Sequence, residues 1–368
     1  MVFTFPLKKF HSIFLSCCVL LLSANKAKPQ AWTAVGTELN GYIYCLCVYK
    51  DELYAGGNFT EADGKPAPFI ARWNGRHWAD VSGGTNGTVR VLLVYKGELY
   101  AGGEFTTASN ASANHVAKWN GKNWLPLDSG VNAGVFALTT FNNELYAGGA
   151  FTTADNKVVN HLAKWNGKAW LNVGSGFNVD VGALGVFDSA LYVGPGFTAL
   201  HGEPTNKIAK WNRASWDSAG KKMHACVNKF IVYNKELYAA GRFDMQDIDV
   251  LKDSFIVKWD SDGWKPAGTG INNMVLTMAV WNNTLYAGGV FTYKSNMDAG
   301  YIASWNGSNW IPVGKSINNF VLALCIYKGE LYAGGSFTSP KGSASYIAKW
   351  TVGKRKKKSP KASSAGGL

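Results

Sequence analysis

A cassette that begins Leu-Tyr and ends in two tryptophans recurs seven times in this chain with almost no change of length. Its leucine falls at Leu53, Leu99, Leu145, Leu191, Leu237, Leu285 and Leu331, so the spacing is 46 residues throughout except for one step of 48. A fixed period of this size marks a repeat architecture, in which one unit cannot bury its apolar face alone and must stack on its neighbours. The aromatic share of 14% and 42 glycines suit short strands joined by tight turns, and a charged fraction of 17% argues against disorder.

Residues 135–173 show one unit. Val135 to Phe141 is a short apolar run, Asn142-Asn143 makes a turn, and Leu145 to Phe151 follows, which together read as a hairpin. An aromatic six residues after the leucine recurs at Phe59, Phe105, Phe151, Phe197, Phe243, Phe291 and Phe337. Five units keep a Gly pair in this strand, as at Gly56-Gly57; Gly194-Pro195-Gly196 and Ala240-Gly241 depart from it. Glycine weakens a strand unless another backbone must approach closely, and wedged units around an axis supply that reason. A second hairpin turns at Trp73-Asn74-Gly75-Arg76-His77-Trp78, where Asn-Gly favours a tight connection and the flanking indoles pack across the strands. Four strands per unit and seven units predict an all-β, seven-bladed β-propeller of four antiparallel strands per blade.

The ring closes through the chain's start. The last unit ends at Tyr346-Ile347-Ala348-Lys349-Trp350 without its second tryptophan, and Trp32 precedes Leu53 by the same 21 residues that separate Trp78 from Leu99. Trp32 to Gly36 is therefore the expected outer strand of blade 7, pairing an edge that would otherwise be open. The propeller is expected over residues 32–353.

The net charge of +13 would suggest a polyanion partner, so its location matters. Lys8, Lys9 and Lys26 near the start and six cations in the tail, Lys354, Arg355, Lys356, Lys357, Lys358 and Lys361, account for nine of it, leaving about +4 for the body. That body gives no case for nucleic-acid binding. Lys8 and Lys9 precede an apolar run from Ile13 to Leu22 and the small residues Ser23, Ala24 and Ala27, the pattern of a signal peptide over residues 1–27 and too short to span a bilayer. The expected location is secreted, extracellular or in the cell envelope. The tail, 354–368, reads as a solvated basic segment that could contact an anionic surface. Cys45, Cys47, Cys226 and Cys325 are too few and irregular for a disulfide framework and read as small core residues.

The short hairpins open on one face of the disc; the second-to-third and fourth-to-first connections open on the other. From the first Trp of a pair to the next Leu the distance is always 26 residues, whereas from the invariant Phe to that Trp it runs from 13 to 16. Variation gathers on the second, loop-bearing face, the side expected to bind. Eight residues after each outer tryptophan stand Asn40, Asn86, Asn132, Asn178, His224, Asn272 and Asn318, just ahead of each inner strand. They form either turns, since Asn tolerates such geometry, or a polar collar around the channel mouth. Tyr44, Arg90, Phe136 and Asn228 occupy a further repeated position whose chemistry varies, as either a recognition surface or a tolerant channel lining would show.

Catalytic signals are absent: no Gly-x-Ser-x-Gly elbow, phosphate loop or paired catalytic acids stand out, and no cofactor or metal is implied. His115 and His161 begin matching third strands of adjacent blades, roughly 15 Å apart at a strand spacing of about 4.8 Å, too far to share an ion held at about 2 Å. The acidic stretch from Asp244 to Asp253 lacks an EF-hand's spacing and reads as a solvated loop.

The cassette LYAGGxFT, a variable loop, then IAKWNGxxW and a Val-Gly step resembles kelch-type propellers and, more closely, secreted bacterial repeat proteins and the Rax2-like propeller of fungal cortical proteins. The resemblance spans about residues 32–353 and implies an interaction module. Galactose oxidase shares a kelch-type propeller, but its copper-ligand set of two Tyr, two His and a Tyr-Cys crosslink has no counterpart that can be placed here. The expected function is a secreted, non-catalytic, monomeric propeller that binds a protein or glycan on its loop face; the alternative is a secreted oxidoreductase or hydrolase with a site at the channel mouth.

Overall fold

A computed structural model describes residues 31–196, 208–219, 223–245, 254–260, 263–293, 296–314, 317–338 and 346–351. The expected signal peptide, the basic tail, the stretch 246–253 and Phe197 lie outside them. The described residues form seven four-stranded antiparallel sheets. Blade 1 runs outward from Ile43–Tyr49 through Glu52–Gly57 and Ile70–Trp73 to Trp78–Asp80. The other inner strands are Val89–Tyr95, Val135–Phe141, Val181–Phe187, Met223–Tyr233, Val275–Trp281 and Val321–Tyr327. Each inner strand packs against the next, and the last returns to the first, so the blades close a ring. This is a seven-bladed β-propeller.

Closure follows the reading of the chain ends. Ala31–Ala34 pairs antiparallel with Ile347–Thr351, setting Trp32 opposite Trp350 and Ala34 opposite Ala348. The two indoles lie 5.2 Å apart between ring centres, as in the Trp73–Trp78 pair at 5.4 Å.

The core is divided among the seams. The described residues gather into seven apolar clusters, each built from two consecutive blades; one joins Tyr95 and Val116 of blade 2 to Leu145, Phe151 and Trp170 of blade 3. The outer tryptophan of every blade stitches the preceding seam by donating its indole N–H to a backbone carbonyl three residues beyond the outer tryptophan of the blade before. Trp78 donates to Val35 (3.1 Å), Trp124 to Val81 (3.0 Å), Trp170 to Leu127 (3.2 Å) and Trp216 to Val173 (3.3 Å). Trp264 donates to Ala219 (2.9 Å), Trp310 to Ala267 (2.8 Å), and Trp32 completes the circle at Val313 (3.1 Å). Buried indoles need such a partner, and burial gives each bond a consequence when it is lost.

The Gly pair answers two different constraints. The first glycine leaves room for the first residue of the next inner strand: a Cβ on Gly102 would sit 2.6 Å from Val135 Cγ1, and one on Gly334 would sit 2.6 Å from Ile43 Cγ2 across the closure. The second makes room within its own blade, where a Cβ on Gly57 would overlap the carbonyl of Tyr42 beside the bulge that every inner strand carries. The Trp-Asn-Gly turn also divides its labour. Glycine alone takes the left-handed angle, φ 102° at Gly75, while Asn74 caps the turn by accepting from Arg76 N (2.9 Å) and His77 N (3.0 Å).

Blades 1 to 3 add a feature absent from the sequence reading. Their second-to-third connections fold into two-residue ribbons, Glu61–Ala62 with Lys65–Pro66 being the first. In blade 1, Asp63 at the ribbon tip accepts from Thr37 N (2.9 Å), Thr37 Oγ1 (2.7 Å) and Trp78 N (2.8 Å), latching loop to outer strand.

Candidate functional site

The loop face around the channel mouth is built from the residues that lead into each inner strand and those that lead into each third strand. The asparagines expected as turns or a collar are occupied within their own blades. Asn40 Oδ1 accepts from Thr60 N (2.8 Å) and Glu61 N (2.9 Å), and its Nδ2 donates to Thr60 Oγ1 (2.9 Å). Asn86 repeats this at Thr106 and Thr107, and Asn132 at Thr152 and Thr153. Asn272 and Asn318 bind Thr292 and Thr338 likewise. The threonine of the LYAGGxFT cassette is thus the partner of the asparagine that precedes it, and the pair clips the two loops of one blade together. Asn178 is exposed, and its counterpart Thr198 lies outside the described residues. His224 differs in placement: blade 5 has a longer first hairpin, so His224 lies inside the inner strand, paired with Asp244, rather than ahead of it.

The chemically varied position proves mixed. Asn228 donates Nδ2 to Val275 O of the next blade (2.9 Å), a bond between blades. Arg90 lays its guanidinium 4.3 Å from the centre of the Tyr44 ring and binds Glu104 at 2.9 Å, joining blades 1 and 2 at the mouth. Phe136 is half-buried.

Sequence reasoning singled out His115 and His161 at the start of the third strands but missed the matching residues of other blades and their pairing across the seams. Phe69, His115 and His161 stand just ahead of the third strand in blades 1 to 3 and Tyr346 in blade 7, whereas the matching Phe255 and Tyr301 of blades 5 and 6 lie inside longer third strands. His161 Nδ1 lies 3.3 Å from Asp180 Oδ1 on the next blade. His115 rests against Gly103 O at 3.3 Å, and burial holds its imidazole below the ordinary histidine range. The signal was available in the fixed 19-residue offset to the residue ahead of the next inner strand, but nothing in a single chain marks that offset as a contact.

Lys229, on the inner strand of blade 5, is reached by solvent yet surrounded by protein within the ring. That enclosure holds its amine below the ordinary lysine range, with Cys325, Cys47 and Cys45 of blades 7 and 1 pulling the other way. Cys45, Cys47, Cys226 and Cys325, the cysteines among the described residues, are free. Burial pushes Cys47 and Cys226 up to about 11 and Cys325 up to about 12, so none is a poised thiolate. Among the described residues no three of His, Cys, Asp or Glu gather closely enough to hold a metal ion, and no helix is long and apolar enough to cross a membrane.

The opposite face carries a hollow of about 490 Å³ between blades 2 and 3, lined by Tyr95, Lys96, Asn142 and Asn143 at the hairpin tips.

Comparison with known proteins places the fold. No family model matches the chain, and no curated protein matches it. Among solved structures it is similar to the computationally designed Ika8 protein, at 14% identity and a TM-score of 0.54, over 88% of this chain and 100% of that one. It is similar to the WD40 β-propeller domain of Doa1 at 12% identity and a TM-score of 0.52, over 88% and 97%. It also resembles the extracellular domain of a B. thetaiotaomicron protein described as a one-component system, at 10% identity and a TM-score of 0.59, over 88% of this chain but 40% of that one. Likeness at such identities defines the class, a β-propeller, and no more.

Proposed function

We propose that this chain is a secreted, non-catalytic binding propeller, akin to the kelch-type and Rax2-like repeat proteins, that takes a protein or glycan partner on its loop face around the channel mouth. One observation carries the reading. The outer wall repeats the same tryptophan bond at all seven seams, whereas the loop-face seams hold His161 with Asp180, Tyr301 with Phe320, and Tyr346 with Tyr42 on equivalent backbone. Chemistry that changes from blade to blade on a constant frame serves recognition better than it serves stability. The apolar run from Ile13 to Leu22 behind Lys8 and Lys9 supports export.

The test compares faces. Binding on a glycan array and in pull-downs should fall with Arg90→Glu and Tyr44→Ala at the mouth and persist with Lys96→Glu and Asn142→Arg on the hairpin face. Loss with the hairpin-face variants alone puts the partner on the other side. Turnover in a substrate screen that Arg90→Ala abolishes replaces this reading with an enzyme.

A further inference from the structure

The residue four positions before the first tryptophan of the pair is held in an unusual way in four blades. Phe69, His115, His161 and Tyr301 have φ of 65°, 66°, 68° and 71°. The backbone at the first three is clamped on both sides. His115 N donates to Phe105 O (2.8 Å) and its carbonyl accepts from Gly103 N (3.0 Å), and Phe69 and His161 repeat both bonds. A bulky residue in this region costs on the order of 1–3 kcal/mol, and glycine adopts it freely. In a chain with 42 glycines, none occupies this position in the four blades where the backbone takes the left-handed angle. Side chains are displayed there despite the strain.

What they display differs around the ring. At the seams from blade 6 to 7 and from blade 7 to 1, the pairs are aromatic: Tyr301 with Phe320, ring centres 6.1 Å apart, and Tyr346 with Tyr42 at 5.7 Å. Phe320 and Tyr42 each remain 43% exposed, so pairing has not hidden them. At the following seam Tyr44 lies under Arg90. Two consecutive seams therefore carry an exposed ring each, the next carries a half-buried ring capped by a guanidinium, and the seam from blade 3 to 4 carries the ionisable pair His161 and Asp180 instead.

We infer that this arc, Tyr301–Phe320, Tyr346–Tyr42 and Tyr44–Arg90, is a stacking platform for the sugar rings of a glycan chain. The inference rests on the loop-face reading above and names the ligand class for it. Pyranose rings present flat C–H patches to aromatic faces and hydroxyls to polar groups at the edge, which an aromatic body with a polar tip matches. The exposed polar side chains Asn318 and Asn40 stand two residues ahead of Phe320 and Tyr42 in the chain, so the exposed rings do not belong to a continuous apolar run. A protein partner needs a contiguous patch of roughly 800 Å² per side with a charge-poor apolar core. Separate stations repeated at the blade period suit a ligand that is itself a repeat. The rings are also fixed by strand edges, so little ordering cost remains on binding.

The full chain is tested for retention on cellulose, chitin and insoluble β-1,3-glucan, and against the soluble tri- and hexasaccharides of each by calorimetry. The expected result is retention on at least one polymer, with the hexasaccharide bound at least about tenfold more tightly than the trisaccharide. Tyr42→Ala with Phe320→Ala should weaken it at least about tenfold while the melting temperature stays within about 2 °C of the parent. Phe320→Leu, which keeps apolar volume and removes the aromatic face, should weaken binding too, and Phe320→Trp should retain it. Retention on none of the polymers, or binding indifferent to the double variant and to Phe320→Leu, overturns the glycan assignment. If no glycan binds but a protein captured from an extract is lost with Arg90→Glu, the glycan assignment falls and the loop-face reading stands. Glycan binding lost only with Lys96→Glu removes both.

Discussion

The outer wall and the loop-face rim of this ring are made by the same chain at the same period, yet they obey different rules. On the wall, seven indoles make one bond seven times, including across the closure from Trp32 to Val313. On the rim, the matching position carries Phe69, His115, His161, Phe255, Tyr301 and Tyr346 in the blades where it is described, with the left-handed angle at Phe69, His115, His161 and Tyr301. The wall is uniform because each seam solves the same packing problem, and a substitution there is felt by two blades. The rim is held more loosely: Phe69, Tyr301 and Tyr346 are half-buried and rest against the edges of the seam clusters, while the partners Tyr42 and Phe320 stay exposed.

The largest effect expected is at the closure. Trp32→Ala removes a nearly buried indole, its pairing with Trp350 and its bond to Val313, and should cost about 3–5 kcal/mol in chemical denaturation. Tyr42→Ala on the rim should cost less than about 1 kcal/mol in the same experiment. Equal losses would break the comparison. Next, Gly102→Ala drives a methyl against Val135 of the following blade and should cost about 1–3 kcal/mol.

That contrast also explains what was legible in the sequence. Period, blade count and the shared seventh blade could be read because Trp32, Trp350 and the Leu-Tyr cassettes recur at fixed distances, and periodicity is a local signal. The asparagines were visible as a repeated position, but their partner, the cassette threonine 20 residues on, could not be told from any other conserved-looking residue of the motif until the loops were folded together. The rim pairs were harder still. Phe320 and Tyr301 lie in different blades, their types vary, and the left-handed turn that brings them together has no glycine to announce it. His224 was misplaced for the opposite reason: a longer hairpin in blade 5 keeps the residue count and changes where the strand begins.

Smaller effects separate blade 1 from blade 3. At Asp63 burial, which raises, is outweighed by the hydrogen bonds from Trp78, Thr37 and Glu38, so its carboxyl titrates below the usual value of 3.8. At Asp155, the same position two blades on, burial raises the carboxyl, and the nearby Asp128 adds to it despite the bonds from Trp170 and Ser129. A lowered carboxyl contributes stability that is present above pH 3.8 and is lost as pH falls through its folded value. Asp63→Asn should therefore destabilise the fold at pH 7 by on the order of 1 kcal/mol given its partial exposure, and make no difference in strong acid. A raised carboxyl has the opposite sign: ionising it costs stability as pH climbs from 3.8 through its folded value. Asp155→Asn should relieve that cost at neutral pH, offset by weaker bonds to Ser129 and Trp170, and so should destabilise less than Asp63→Asn. Thermal melts of both variants between pH 2 and 7 check the order.

The smallest effect belongs to the repeated ion pairs on the blade faces. Lys118 and Glu98 meet at 3.1 Å with about a third of each side chain exposed, so Lys118→Ala should cost under about 1 kcal/mol and less in high salt. A large loss there would show that charge, and not the indole ring, holds neighbouring strands.

The antiparallel pairing of residues 31–34 with 348–351 sets an order of events during synthesis. Within the ring, the strand made first is the last to find its place, and it waits while some three hundred residues are made. Until then the third strand of the final blade offers an unsatisfied edge, and the matching tetrapeptide of another molecule fits it as well as its own. Tethering favours the intramolecular partner at ordinary concentrations. A crowded, newly made population is where head-to-tail exchange between molecules competes with the circle.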